Sequence, residues 1–237
     1  MINEKSIIAI IPARSGSKGL PGKNLKLLNG IPLVSWSINH ALASSHVDHV
    51  LVSTDSPEIA SISLAGGAEV PFIRPKHLAT DEALTFDVIK HALQHYSSQG
   101  LFFDYVVLME PTSPLRKSDD IDQMIRMLDL NAHEYDSIVS IGQVHENPYI
   151  CKTVQNGSVI DFIQSPMANR RRQDYDPIYF PYGVGYIAKT NELLEQRTFY
   201  TNRCMGYIID RCQNYEIDDH CDFLCVESIV AAFPDFR

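Results

Sequence analysis

Residues 6–24 read SIIAIIPARSGSKGLPGKN, and their two halves decide the fold. The first half, SIIAII (6–11), is an unbroken apolar run rich in isoleucine. Such a run predicts a strand buried on both faces, the kind found inside parallel sheets. The second half, PARSGSKGLPGKN (12–24), places three glycines, two prolines and three cations in one loop. A helix pattern follows at about 32–44. Buried strand, loop and helix in that order open an α/β sheet, and such sheets bind ligands outside the carboxyl ends of their strands.

The rhythm repeats outward from this point. HVLVS (49–53) predicts a second strand, and Ser56-Pro57-Glu58 a helix start with Ser as N-cap and Pro at the first helical position. AEVPF (68–72) predicts a short third strand. Phe86, Ile89, Leu93 and Tyr96 recur at helical spacing, YVVLM (105–109) is another buried strand, and Ile121, Met124, Ile125 and Leu128 form a helical stripe. SIVSIG (137–142) is a fifth strand. The expected fold is a Rossmann-like, mostly parallel sheet sandwiched by helices, in a single domain over 1–237. Within it, 146–181 is rich in Pro, Asn, Gln and Arg and predicts an inserted antiparallel arm, with strand-like pieces YICKTV and VIDFI. The main fold resumes with GVGYIAK (183–189) and MGYII (205–209), and closes on a helix from about Asp219 to Ala232.

Composition narrows the function. The chain has 237 residues, with 20 Lys and Arg against 29 Asp and Glu, a formal charge of −9. An acidic chain exerts no long-range pull on nucleic acid, so any phosphate must be held by a local cluster of cations and backbone N–H groups. No apolar stretch approaches the roughly 18 residues of a membrane span, and the start does not read as a signal peptide; a cytoplasmic protein is expected. The five cysteines (Cys151, Cys204, Cys212, Cys221 and Cys225) are odd in number and confined to the second half. Reduced, mostly buried thiols are expected rather than a disulfide framework. Cys221 and Cys225 lie beside His220 but lack the second close pair that zinc requires.

The loop at 12–24 suits a polyphosphate. Its glycines admit backbone N–H groups to a ligand, and Arg14, Lys18 and Lys23 supply charge. It is not a Walker A loop, because Asn24 follows Gly22-Lys23 where Ser or Thr is needed, and Ser17 stands where the first glycine should be. Nor is it a dinucleotide fingerprint, since Ser17-Lys18 follow Gly16.

Five ordered stretches carry a resemblance: PARSGSKGLPGKN, VSTDS (52–56), RPKHLATDEALT (74–85), LMEPTSPLR (108–116) and YEIDDHCDF (215–223). Together they resemble the acylneuraminate cytidylyltransferase family, which includes CMP-sialic acid synthetases and their legionaminic and pseudaminic acid relatives. The resemblance covers 6–226 with interruptions. It implies a nucleotide-diphospho-sugar transferase fold and cytidylyl transfer, in which the anomeric hydroxyl of a 2-keto sugar acid attacks the α-phosphate of CTP and pyrophosphate leaves. By that resemblance Arg14, Ser17, Lys18, Lys23 and Asn24 hold the triphosphate, with Lys23 nearest the reacting phosphate and Arg14, Lys23 and Asp218 catalytic. Arg74 contacts cytosine, and Ala83 and Thr85 help select it, although Thr85 also suits a helix cap. Asp81 reads as a helix cap, and Asp55 as a residue that shapes the loop or touches nucleotide.

Glu216 and Asp218 alternate along YEID, so both carboxylates face one side of an extended segment. The resemblance assigns them to Mg2+, or Mn2+, together with substrate phosphates. Glu216 departs from the commoner Asp-x-Asp of the family. Glu110 stands where many members have Gln holding the acceptor sugar. Arg116 orients the loop or the sugar, or makes a structural ion pair. The arm implies a homodimer with arm exchange, in which Lys152 and Arg172 meet the acceptor's carboxylate. Tyr182 replaces the Asn of many sialic acid enzymes. The implied partners are CTP and a nonulosonic acid, with Kdo a more distant acceptor.

Overall fold

Ile7 to Ile11 carry no exposed surface, because the strand that contains them is flanked on both edges and covered on both faces. The computed structural model describes residues 2, 4–163, 171 and 174–236. Strand β1 (Ile7–Pro12) pairs in parallel with β4 (His49–Ser53) on one edge and β5 (Tyr105–Leu108) on the other. Ile7, Ala9 and Ile11 point into one core with Val34, Ile38, Ile121 and Met124. Ile8 and Ile10 point into a second core with Leu51, Ile89, Leu93 and Val106. Helices α1 (Leu33–Ala43), α2 (Pro57–Ala65) and α4 (Asp120–Leu130) contribute to the first layer, and α3 (Thr85–Ser97) to the second. Each buried Ile or Leu is worth about 1.5–3 kcal/mol, so the unbroken apolar run is the fold's main anchor.

The sheet has six strands in the order β10-β6-β9-β5-β1-β4. Strands β6 (Ser137–Gln143) and β10 (Cys204–Ile208) are parallel. The long β9 (Tyr179–Lys189) inserts antiparallel between β5 and β6. The mostly parallel α/β sheet is therefore present, with one reversed central strand. Two small antiparallel pairs lie outside it: β2 (Leu27–Leu28) with β3 (Ile31–Pro32), and β7 (Lys152–Gln155) with β8 (Ser158–Asp161). The chain closes with α5 (Thr190–Gln196), β10 and α6 (His220–Ala232).

Three expectations change. The strand at 68–72 reduces to one bridge, Leu51 with Glu69; Pro71 has no N–H to extend the ladder. The strand expected to begin at 183 begins at Tyr179, so its first residues overlap the predicted arm. The thiols are free, but none is fully buried: Cys151, Cys204 and Cys212 are half-buried, and Cys221 and Cys225 are exposed on α6.

A third apolar cluster positions the loops. Leu20 of the glycine-rich loop, Leu115 of PTSPLR and Ile217 of YEID pack with Leu33, Trp36, Phe223 and Val226. Arg116 fastens the same region from beneath. It is fully buried. Its Nε donates to Val184 O at 2.5 Å, Nη1 to Ser37 Oγ at 2.9 Å, and Nη2 to Glu110 O at 2.7 Å and Gly183 O at 2.6 Å. Burial lowers its pKa to about 10, which leaves it charged at neutral pH. Of the roles open to Arg116 in the sequence, orienting the loop is the one these contacts carry: a guanidinium sealed from solvent and spent on carbonyls of β9 and the 110 loop holds the scaffold. Arg116→Met leaves those carbonyls without their donors, and we expect a loss of about 3 kcal/mol in unfolding free energy by urea titration.

Candidate active site

The glycine-rich loop lies against the acidic turn. A Cβ on Gly19 would sit 2.3 Å from the Asp218 carbonyl oxygen, so only glycine allows this approach. Lys23 Nζ donates to Ile217 O at 2.6 Å and lies 3.1 Å from Asp218 Oδ1. Asn24 is buried and its amide donates to Arg14 O at 2.9 Å, bracing the loop from inside. Asp55 braces it from the other side, accepting from the Ser15 amide at 2.7 Å and the Ser15 hydroxyl at 2.6 Å. Burial works to raise the Asp55 pKa, but these donors outweigh it and hold the carboxyl below its ordinary value. Asp55 therefore shapes the loop. Ser17 is half-buried in the same loop.

Asp81 is not the cap of α3, whose N-cap residue is Leu84. Instead its carboxylate bridges Arg14 Nη1 at 2.6 Å and Lys18 Nζ at 2.5 Å. Hydrogen bonds from Lys18 and Arg14 pull its pKa below the usual value. Sequence reasoning missed this role because a carboxylate ahead of a helix ordinarily serves as a cap.

Beside the loop opens a cleft of about 230 Å³, lined by Arg14, Arg74, Thr80, Ala83, Thr85 and Glu110 among others. Arg74 is buried at its wall. Its Nε donates to Ser53 Oγ at 3.0 Å and Nη1 to Leu78 O at 3.4 Å, and Nη2 donates to Ser53 O. Burial lowers its pKa to about 10, so it remains a cation. Among the described residues, these bonds use three of the five N–H donors of the arginine, which lines the cleft. Thr85 is the first residue of α3, after the cap.

Glu110 lines this cleft and also a second one. The second has a volume of about 310 Å³ and is walled by Phe86, Leu108, Tyr186, Phe199 and Tyr200. The four aromatic residues among them were not singled out for the site by sequence reasoning, since aromatic residues near helix and strand ends read as core. Burial, followed by the negative charge of Glu216, pushes the Glu110 carboxyl up to about 7. Glu216 Oε1 accepts from Ser113 Oγ at 3.0 Å and Gly183 N at 2.6 Å. Ile217, between the two acids, is wholly buried while Asp218 is exposed. Among the described residues, no group of three or more His, Cys, Asp and Glu is arranged to hold a metal ion by itself.

A family model described as Cytidylyltransferase matches residues 8–224. The chain belongs to the cytidylyltransferase family. It is 36% identical over 222 residues to an N-acylneuraminate cytidylyltransferase of Streptococcus agalactiae serotype V, covering 92% of this chain and 52% of that one. It is 33% identical over 229 residues to a CMP-N,N'-diacetyllegionaminic acid synthase of Legionella pneumophila, covering 94% and 96% respectively. The chain thus spans about half the length of the first of these relatives and nearly all of the second. A solved CMP:2-keto-3-deoxy-manno-octonic acid synthetase complexed with CTP shares the fold, with a TM-score of 0.68 at 17% identity, covering 96% of this chain and 99% of that one.

Within this chain, Arg14, Lys18, Lys23, Arg74, Ala83, Thr85, Glu110, Glu216 and Asp218 gather around the loop and the adjoining clefts. Tyr182 is half-buried on β9, beside the Gly183 that carries Glu216, and burial raises its pKa. Lys152 stands apart, on the exposed β7–β8 hairpin, where it pairs with Asp161. Arg172 lies outside the described residues. Replacing Asp81 with Asn frees Arg14 and Lys18 from their internal anion. Inorganic tripolyphosphate should then bind about threefold more tightly by calorimetry, the modest gain expected from exposed pairs. Unchanged or weaker binding would show that Asp81 does not compete for these cations.

Proposed function

We propose that the chain transfers CMP from CTP to the anomeric hydroxyl of a nonulosonic acid, an N-acylneuraminate or legionaminate type of sugar, and releases pyrophosphate. One observation carries this reading: Gly19 and Lys23 lie directly on the Ile217–Asp218 backbone, so a cation loop and a pair of acids share one crevice. The arginine cleft opens beside that crevice and the aromatic cleft adjoins it at Glu110. A nucleotide with its base in the first and its phosphates on the loop would present its α-phosphate towards an acceptor in the second. The relatives named for N-acylneuraminate and diacetyllegionaminic acid support the acceptor class.

The roles follow from charge and donor chemistry. Cytosine offers O2 and N3 as acceptors and N4–H2 as a donor, which the free N–H groups of Arg74 and the hydroxyl of Thr85 can tell from a purine. Arg14, Lys18 and Lys23, with Ser17, neutralise the triphosphate. Lys23, fixed by Ile217 O, stabilises the charge that grows as pyrophosphate departs. Glu216 and Asp218 fit Mg2+, or Mn2+, because this ion is usually held by one or two carboxylates plus substrate phosphates. The charge pressed on Glu110 by Glu216 and Asp218 is the excess such a cation would offset. When bound, the ion draws electron density from the phosphoryl oxygens and so favours attack.

A homodimer whose arms exchange, with Lys152 and Arg172 facing the partner's acceptor carboxylate, belongs to the same proposal. So does a cytoplasmic setting, where CTP is available; among the described residues no helix is long and apolar enough to cross a membrane. The test supplies CTP, Mg2+ and a panel of 2-keto sugar acids and follows pyrophosphate. Release with a nonulosonic acid is expected, whereas CTP binding with no release from any acid would leave a nucleotide-binding module. Asp218→Ala should lower kcat by about 100-fold or more while metal-free CTP binding is kept. Near-parental turnover would remove Asp218 from the metal site.

A further inference from the structure

Helix α5 ends on Arg197, whose backbone is left-handed at φ 58° and ψ 28°. Glycine is the usual residue there, because a Cβ crowds the backbone in that conformation. An arginine kept in that conformation points to a use for its side chain. The guanidinium carbon lies 4.7 Å from the centroid of the Phe86 ring, and Nη2 is 3.4 Å from Asp87 Oδ1. Both anchors sit in the first turn of α3, and they hold the guanidinium on the lining of the aromatic cleft. Among the described residues lining that cleft, Arg197 is the one cation. Glu110 and Thr85 line both this cleft and the arginine cleft, whereas Arg197 lines only the aromatic one, away from the loop that carries the phosphate cations.

In a 2-keto sugar acid the anomeric hydroxyl and the carboxylate share one carbon. Both therefore stay beside the phosphates, and only substituents at the other end of the sugar reach Arg197. We propose that Arg197 reads a distal acylamido group of the acceptor, donating to its carbonyl oxygen while the rings of Phe86 and Phe199 receive the acyl carbon. The role rests on the transfer reaction proposed above and assigns one of its specificity determinants. A charged donor matched to a carbonyl discriminates against a substituent that cannot fill the same space and accept the same bond.

Arg197→Gly tests this with little risk to folding, since relief of the left-handed strain offsets the lost ring contact and ion pair. Its Tm should stay within a few degrees of the parent. The KM should be measured for CTP, for an N-acylated nine-carbon acid, and for the analogue with hydroxyl in place of acylamido. We expect the KM of the acylated acid to rise about tenfold, with the other two KM values unchanged and the preference for the acylated acid lost. Arg197→Lys, which keeps charge without the planar fork, should recover part of that preference. A preference retained in Arg197→Gly, or equal rises for acceptor and CTP, would overturn the assignment. A parent that releases pyrophosphate with no acid sinks the transfer reading itself, whereas an active parent with an indifferent Arg197→Gly sinks only the role of Arg197.

Discussion

Leu20, Leu115 and Ile217 meet in one apolar cluster, and the site depends on that meeting. The three residues come from three loops that follow different elements. Lys18 and Lys23 flank Leu20, and Glu216 and Asp218 flank Ile217, while Leu115 lies between the buried Ser113 and Arg116. Burying Leu20 and Ile217 together brings the loop cations and the acid pair to a common crevice, which Leu115 and Arg116 support from within. Apolar burial is non-directional, so the final register needs directional contacts. Those are the Lys23 bond to Ile217 O, the close approach of Gly19 to Asp218 O, and the donors of Arg116 to Glu110, Gly183 and Val184.

Electrostatics explains why the cations remain effective in a chain of net charge −9. At physiological salt a charge is felt over about 8 Å, so local partners outweigh the protein's overall sign. Without a ligand, the loop cations are compensated by Asp81 and Asp218. Arg74 and Arg116 lie deeper and have their pKa lowered by burial, yet both stay charged because carbonyls and nearby acids surround them. Burial first, and then the negative charge of Glu216, make Glu110 hold its proton more tightly than in water, although Arg116 and Lys23 oppose the shift.

Much of the fold was legible. The run at 6–11, the stripe through Ile121 and Leu128, and the Ser56-Pro57 helix start all act through local periodicity or local capping, and all appear as elements at those places. The misses have separate causes. AEVPF has strand composition, but Pro71 stops the ladder after one bridge. The reversal of β9 is invisible in its own residues, because apolar alternation does not record which way a strand runs. Helix α5 spans only Thr190–Gln196, too short to establish a period.

The sequence by itself determined the strand-loop-helix order, the cation-rich loop, the acid pair around Ile217 and the resemblance to cytidylyltransferases. Each is carried by residues close together in the chain. Only the tertiary structure decided how each side chain is used. Arg116 and Arg74 look alike as exposed-type cations in sequence, but one is sealed beneath β9 and the other faces a cleft. Asp81 bridges two cations instead of capping a helix, and Phe86, Tyr186, Phe199 and Tyr200 converge on one cleft from separate segments. A donor's or ring's role depends on which partners desolvate it, and those partners are supplied by chain segments dozens of residues away.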